Sequence, residues 1–124
     1  MYPNTRLRRT RQADWSRRLV RENALSVNDL IWSVVVSDTA DPVEPVAAMP
    51  GVERLSLAAL AKAAKEAQAL GIPAMAIFPH IEPGKKDDGG REALNPDGLV
   101  PNAIKTIKDA APNLGVICDV ALDP

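Results

Sequence analysis

Three nearly continuous apolar runs mark the main strands of the chain. They are LIWSVVV at 30–36, IPAMAIFP at 72–79 and LGVICDVAL at 114–122. The runs are short and the first is rich in β-branched residues, which predicts strands buried on both faces of a sheet. The proline-punctuated segment 37–51, which follows the first run, is expected to be a loop.

Two amphipathic helices are predicted between these strands. The first starts after Ser56, a good N-cap residue, and stops at Gly71; the second is closed by Pro112. Their apolar positions at helical spacing are Leu57, Leu60, Ala61, Ala64 and Ala67 in the first, and Leu99, Ala103, Ile104, Ile107 and Ala111 in the second. Strands that alternate with helices in this way imply a parallel sheet with right-handed crossovers.

The fold class is therefore α/β, and the pattern alone allows two architectures. One is a closed β/α barrel of eight strands, of which three would be present, and the other is an open doubly wound sheet. No glycine-rich phosphate-binding fingerprint follows any strand, which disfavours a dinucleotide-binding version.

The segment before the first strand has a different character. Residues 1–12 show no apolar periodicity and predict an extended arm, and Asp14 is expected to cap a short helix with an apolar stripe at Trp15 and Leu19. Ser26 and Asp29 resemble a capping pair. We therefore expect an arm with a short helix over 1–24 and an α/β body over 25–124.

The arm and the body also differ in net charge. Residues 1–21 carry seven arginines against Asp14 alone, a balance of +6, and residues 22–124 carry eight basic against fifteen acidic residues, a balance of −7. The arginines are Arg6, Arg8, Arg9, Arg11, Arg17, Arg18 and Arg21. Such an arm could bind nucleic acid, direct targeting, or dock on an acidic neighbour.

The rest of the sequence favours docking. The body is acidic and no aromatic residues alternate with the arginines, which argues against nucleic acid, and no cleavage-like linker follows the arm. One cysteine excludes an internal disulfide, and no apolar run reaches the length of a membrane span. We expect a cytoplasmic protein that binds neither nucleic acid nor membrane.

Two acidic residues in the third strand are the strongest candidates for chemistry. Asp119 and Asp123 share one face of a strand with a two-residue period, and functional groups of parallel α/β folds collect at the carboxyl ends of strands. A carboxylate there requires a hydrogen bond, a cation or a substrate. The alternative is that Asp123 only begins a turn before Pro124.

Other reactive residues have weaker support. His80 is the only histidine and has no partner at a readable spacing, so a loop histidine is the better interpretation. Cys118 points away from Asp119 and is expected to be a buried, inert thiol. Lys85 and Lys86 begin a charged loop that is expected to be solvated, although loops at this end of a sheet can also act as active-site lids.

Several blocks of sequence resemble one enzyme family. YPNTRLRRTR, DWSRRLVREN, MPGVERLSL, LGIPAMAIFP, NPDGLVPNAI and LGVICDVALDP occur in the order found in the N-terminal part of the delta-aminolevulinic acid dehydratases, also called porphobilinogen synthases. The resemblance covers essentially the whole chain. It implies a (β/α)8 barrel whose N-terminal arm wraps a neighbouring subunit, with Arg6, Arg8, Arg9 and Arg11 at the contact, in a homo-octamer.

The resemblance also implies a reaction and a type of metal dependence. The family condenses two molecules of 5-aminolevulinate to porphobilinogen with loss of two waters, and Asp119 matches its active-site aspartate. Zinc-dependent members have cysteines where this chain has Ala121 and Asp123. The chain is therefore similar to the zinc-independent branch, which implies magnesium, held by residues farther along the chain, and potassium as activators.

The family's two active-site lysines have no counterpart in the sequence. They lie on later strands, whereas Lys105 and Lys108 fall on a helix and Lys85 and Lys86 in a loop. We therefore expect the first three strands of the barrel here, inactive in isolation. The competing hypothesis is a small non-catalytic α/β interaction module with a basic arm.

Overall fold

The computed structural model describes residues 3–5, 7–39 and 43–121. One sheet holds five strands in the order β2-β3-β1-β4-β5. The strands are β1 (Ile31–Ser37), β2 (Val43–Pro45), β3 (Glu53–Leu55), β4 (Ala74–His80) and β5 (Gly115–Cys118). The helices are α1 (Arg9–Gln12), α2 (Asp14–Leu19), α3 (Leu57–Ala69) and α4 (Leu99–Ala110), and short 3₁₀ turns lie at Val27–Asp29 and Pro83–Lys85.

The three predicted apolar strands correspond to β1, β4 and β5. β4 pairs in parallel with β1 on one side and with β5 on the other, so that Met75 lies between Trp32 and Val116. The helix between each pair of strands is also where the apolar spacing predicts it, at α3 and α4. The α/β class and the parallel pairing are therefore confirmed.

The segment expected to be a loop contributes to the sheet, which corrects that expectation. β2 lies within 37–51 and pairs antiparallel with β3, which in turn pairs parallel with β1. Glu44 and Arg54 face each other across β2 and β3, with 2.8 Å between Oε1 and Nη1. Strands of three residues are too short to show an alternation, and cross-strand pairs of this kind stabilise them.

One face of the sheet and the facing sides of both helices form the core. Val34 and Val36 of β1 and Met75 and Ile77 of β4 pack with buried residues of α3 and α4. The most deeply buried large side chains are Leu60, Met75, Ile77, Ile107, Leu114 and Val36. Each such side chain contributes about 1.5–3 kcal/mol to folding, which explains why the apolar spacing predicts these elements well.

Residues 3–5, 7–39 and 43–121 leave much of the opposite face of the sheet open. Ile31, Phe78 and Ile117 point to that face and are 56%, 47% and 46% exposed. The prediction that the strands are buried on both faces is therefore wrong for the described residues. The physical reason is that α3 and α4 both pack on the same side of the parallel strands.

Both predicted signals at the ends of α3 are confirmed. The hydroxyl of Ser56 accepts a hydrogen bond from the Ala59 amide at 3.3 Å. At the other end Gly71 has a φ of 77°, its amide donates to the Gln68 carbonyl, and the Ile72 amide donates to the Ala67 carbonyl. This pair of bonds is a Schellman motif, which glycine adopts without steric cost.

The N-terminal segment is less extended than predicted. A turn of helix, α1, falls within residues 1–12, and the hydroxyl of Ser16 joins α1 to α2 by donating to the carbonyls of Thr10 and Ala13. Asp14 does not cap α2: Ala13 is the N-cap, and Asp14 forms an ion pair with Arg17 at 3.4 Å. The carboxylate still lies in the first helical turn, where the helix dipole favours a negative charge.

The apolar stripe of α2 is exposed. Trp15 and Leu19 are 68% and 78% accessible, and they line a shallow cavity together with Arg9. Within residues 3–5, 7–39 and 43–121, no helix combines the length and the apolar character needed to cross a membrane.

Replacement of Gly71 tests the end of α3. Gly71→Ala places a Cβ on a left-handed residue, which costs about 1–2 kcal/mol, and we expect the free energy of unfolding to fall by that amount. Gly84→Ala is the matched control, since a Cβ there meets no atom within 4 Å. Urea unfolding of both variants measures the difference, and equal stability of the two would contradict this account of the helix end.

Asp29 and Ser26 form the predicted capping pair. The carboxylate of Asp29 accepts hydrogen bonds from the Ser26 amide at 2.8 Å and from the Ser26 hydroxyl at 2.9 Å. These bonds, the backbone bond first, lower the pKa of Asp29 below its usual range. A lowered pKa stabilises the fold above the unfolded-state pKa, and this stabilisation is lost as the pH falls through the folded-state pKa.

The effect of pH on Asp29→Asn tests this pair. We expect the variant to unfold more easily than the unmodified protein at pH 6. The difference should shrink as the pH falls below about 4, the usual range of an aspartate, because protonation removes the same charge from the unmodified protein. Asp88→Asn, in an exposed loop, serves as the control. Thermal unfolding across this pH range is the measurement, and a pH-independent difference would refute the assignment.

Candidate active site

A cavity of about 470 Å³ lies at the carboxyl ends of β4 and β5. Its walls come from the end of β4, the loop that follows it, the start of α4 and the residues after β5. The lining residues are Phe78, Pro79, Ile81, Glu92, Ala93, Leu94, Leu99, Val100, Pro101, Cys118, Asp119, Val120 and Ala121. Most of these side chains are apolar, and the acidic ones are Asp119 and Glu92.

Asp119 lies at this cavity, immediately after β5 ends. The prediction that β5 continues to residue 122 is wrong, because its pairing with β4 ends at Cys118. Among the described residues β5 pairs with β4 alone, so no second ladder holds residues 119–121 in the sheet. Asp119 is therefore exposed beside the cavity rather than held within a strand.

The second predicted acid, Asp123, lies outside the described residues. The structure thus places Asp119 and Ala121 at the cavity, and the proposed shared face of Asp119 and Asp123 stays a prediction. Of the arm residues expected at a subunit contact, Arg8, Arg9 and Arg11 are exposed, and Arg6 also falls outside the described residues.

Cys118 differs from its prediction. It pairs in register with Ile77, whose side chain is buried beneath the helices, so its direction agrees with the alternation along β5. The thiol is nevertheless exposed and lines the cavity. The prediction of a buried thiol fails because the start of α4 leaves open space above the end of this edge strand.

His80 is the last residue of β4 rather than a loop residue, and it does not line the cavity. It pairs in register with Ser37 at the end of β1 and is exposed. The expectation that it has no catalytic partner stays a prediction.

The loop at 81–98 is built by local hydrogen bonds. Asp87 accepts from the amides of Gly89 and Arg91 at 2.9 and 3.3 Å, and consecutive turns follow as far as Gly98. The backbone of Gly98 passes close to Glu92: a Cβ on this glycine would lie 3.1 Å from Oε1 of Glu92. The loop therefore packs directly against the N-terminus of α4 beside the cavity.

An ion pair ties this loop to the neighbouring strand. Lys85, which was expected to be solvated, donates a hydrogen bond to the carboxylate of Asp38, the residue that follows β1. This bond, followed by the charges of Asp38, Glu92 and Glu82, raises the pKa of Lys85. Sequence spacing could not reveal this pair, since 47 residues separate its members.

The cavity combines an apolar wall with one exposed carboxylate. Phe78, Leu94 and Leu99 can cover the aliphatic part of a small molecule, while Asp119 can hold an amino group or transfer a proton. In the part of the chain that the structure describes, no three His, Cys, Asp or Glu side chains lie close enough to bind a metal ion together. The site as described is thus suited to a small molecule with an apolar part and a cationic group.

Neighbouring parallel strands with helices on one face and a pocket at their carboxyl ends are the arrangement of β/α-barrel enzymes. Residues 4–124 match the family described as Delta-aminolevulinic acid dehydratase. The chain belongs to this family, which confirms the resemblance found in the sequence.

Individual relatives agree with the family match. The chain is 49% identical over 119 residues to the delta-aminolevulinic acid dehydratase of Bradyrhizobium diazoefficiens, covering 96% of this chain and 34% of the relative. It is 42% identical to the Synechocystis sp. enzyme of the same name, covering 98% of this chain and 37% of the relative. The chain therefore spans about a third of the length of the curated relatives it matches.

A solved structure shows the same fold. Delta-aminolevulinic acid dehydratase (porphobilinogen synthase) from Toxoplasma gondii, in complex with the reaction product porphobilinogen, is 39% identical and superposes with a TM-score of 0.81. The match covers 95% of this chain and 33% of the Toxoplasma chain.

Proposed function

We propose that this chain forms part of a porphobilinogen synthase, a lyase that condenses two molecules of 5-aminolevulinate to porphobilinogen and releases two waters, in tetrapyrrole and haem biosynthesis. The observation that carries the proposal is the position of Asp119. In a chain of this family, the residue that matches the family's active-site aspartate lies at a cavity at the carboxyl ends of parallel strands. Family membership also favours an enzyme over a non-catalytic interaction module.

The open face of the sheet supports a place in a larger barrel. β1, β4 and β5 are three neighbouring parallel strands, and we assign them as the first three strands of the eight that line such a barrel. The exposed side chains of Ile31, Phe78 and Ile117 would then belong to the interior, where layers of side chains fill a β/α barrel. β2 and β3 would form an extension beside the first barrel strand.

Asp119 is proposed to act on the amino group of the substrate. A carboxylate beside an apolar wall can hold an ammonium group in place and accept a proton from it when the amine must act as a nucleophile. Asp123, four residues farther along the sequence, is proposed to add a second carboxylate to the same pocket. The Schiff-base lysines of the family are expected on later strands.

Replacement of Asp119 tests this role in the full-length gene product. We expect that Asp119→Asn lowers kcat for porphobilinogen formation by at least about 100-fold, the usual contribution of a positioned acid or base, while thermal stability stays within a few degrees. Asp109→Asn, on the exposed side of α4, is the matched control. A colorimetric assay of porphobilinogen provides the measurement. An active Asp119→Asn enzyme would exclude Asp119 from catalysis.

The metal dependence is proposed to be that of the zinc-independent branch. Ala121 and Asp123 occupy the two positions where zinc-dependent relatives have cysteines, and an alanine with a carboxylate suits hard cations or no ion rather than zinc. Magnesium, with ligands elsewhere in the sequence, and potassium would act as activators. The described residues supply no ligand set for either ion, so no step is assigned to them.

The response of the activity to a chelator distinguishes the zinc-independent branch from the zinc-dependent one. We expect the full-length gene product to keep most of its activity in EDTA, or to regain it when magnesium is added, because no zinc thiolates take part. The informative variant combines Ala121→Cys with Asp123→Cys, since it introduces cysteines at two positions where zinc-dependent relatives have them. Activity that EDTA abolishes and only zinc restores in the unmodified enzyme would refute this assignment.

The N-terminal segment is proposed to contact a neighbouring subunit in a homo-octamer. The exposed stripe of Trp15 and Leu19 beside basic residues supports a contact that combines apolar burial with charge pairing, because the body of the chain is acidic. Arg6, Arg8, Arg9 and Arg11 are the basic residues assigned to it. A cytoplasmic location, without nucleic-acid or membrane partners, completes the proposal.

A further inference from the structure

The loop at 81–98 forms one wall of the cavity. It contributes Glu92, Ala93 and Leu94 to the lining, which also includes Asp119. Its two ends are fixed, since Ile81 is 4% exposed and Gly98 is buried at the start of α4. The residues between 82 and 89 are exposed, so apolar burial does not hold this part of the loop in place.

The ion pair between Lys85 and Asp38 falls within that exposed part. Of the ion pairs formed by described residues, it is the one that joins the loop to another element of the fold. The pair between Arg91 and Asp87, in contrast, is internal to the loop.

The Asp38 end of the pair rests on a rigid support. Asp38 directly follows β1, and the preceding residue, Ser37, is 1% exposed and shares a hydrogen bond of 3.1 Å with the hydroxyl of Thr39. β1 is also paired with β4 along its whole length, through Ser37 and His80. The side chain of Asp38 is 26% exposed and that of Lys85 is 44% exposed, so water screens their attraction and the pair contributes as a surface ion pair does.

We propose that Lys85 and Asp38 form a clamp that holds the loop at 81–98 against the carboxyl end of β1 and thereby sets how tightly the cavity binds its substrate. Lys85 is a positioning residue here, because it acts through the loop and does not line the cavity. The effect on substrate affinity rests on the proposed function, whereas the existence of the clamp does not.

If the clamp exists, substitutions of Lys85 and of its neighbour Lys86 should have different effects. Lys86 carries the same charge, lies next to it in the loop and forms no ion pair with any described residue. A general effect of loop charge would make the two lysines equivalent. A specific clamp makes Lys85 and Asp38 equivalent to each other and leaves Lys86 without effect.

Amide hydrogen exchange of the full-length gene product tests the clamp. We expect Lys85→Ala and Asp38→Asn each to speed exchange in residues 86–95 by roughly two- to fivefold, the range for an exposed ion pair, while Lys86→Ala leaves it unchanged. Lys85→Arg should retain slow exchange. The exchanged pair Asp38→Lys with Lys85→Asp should restore at least half of the protection. Equal effects of Lys85→Ala and Lys86→Ala would overturn the proposal.

Steady-state kinetics tests the consequence for binding. We expect Lys85→Ala and Asp38→Asn to raise KM for 5-aminolevulinate by roughly two- to fivefold with kcat nearly unchanged, because Asp119 stays in place. A fall in kcat at constant KM, or faster exchange without a change in KM, would overturn the role in affinity. If the unmodified protein forms no porphobilinogen, the proposed function fails, and hydrogen exchange still decides whether the clamp exists.

Discussion

Burial of the facing sides of α3 and α4 against one face of the parallel strands is the constraint on which the rest of the structure depends. Leu60, Met75, Ile77 and Ile107 form the centre of this layer, and none of them is more than 2% exposed. Because a slip of one residue would turn every buried side chain of a strand outward, this layer also fixes the register of β1 with β4. The carboxyl ends of the strands then meet at one edge, where the loops assemble the cavity.

The same one-sided burial explains which features the sequence could predict. Elements that contribute to the layer carry a strong periodic signal, so α3, α4, β1 and β4 could be located to within two residues. The helix-capping interactions of Ser56, Gly71 and the Ser26–Asp29 pair could also be predicted from the sequence. In each of these cases the residues that form the feature are close together in the chain, and their side-chain chemistry determines the geometry.

Features that depend on distant partners could not be predicted in this way. β2 and β3 are strands because three residues of each pair with a neighbouring strand. Among the described residues β5 pairs on one side only, which explains why it ends early. The exposure of Cys118 follows from where α4 begins, which strand alternation does not encode. At the site, the sequence identified Asp119 from its place near the end of an apolar run and from the family resemblance. The apolar wall and the Lys85–Asp38 pair, in contrast, come from the path of the loop across the strand ends.

The open face of the sheet and the exposure of Asp119 both follow from the coverage of the sheet by helices on one side only. A parallel sheet covered on one side leaves a row of apolar side chains, Ile31, Phe78 and Ile117, that water does not stabilise. Further strands that closed the sheet would bury this row and would bring new strand ends to the edge where Asp119 lies. The apolar interior and the catalytic pocket would thus be completed by the same step, because in a closed barrel the inner faces of the strands lead directly to the loops at their carboxyl ends. In such a barrel, residues that stabilise the open face would also determine how accurately Asp119 meets the groups contributed by the added strands.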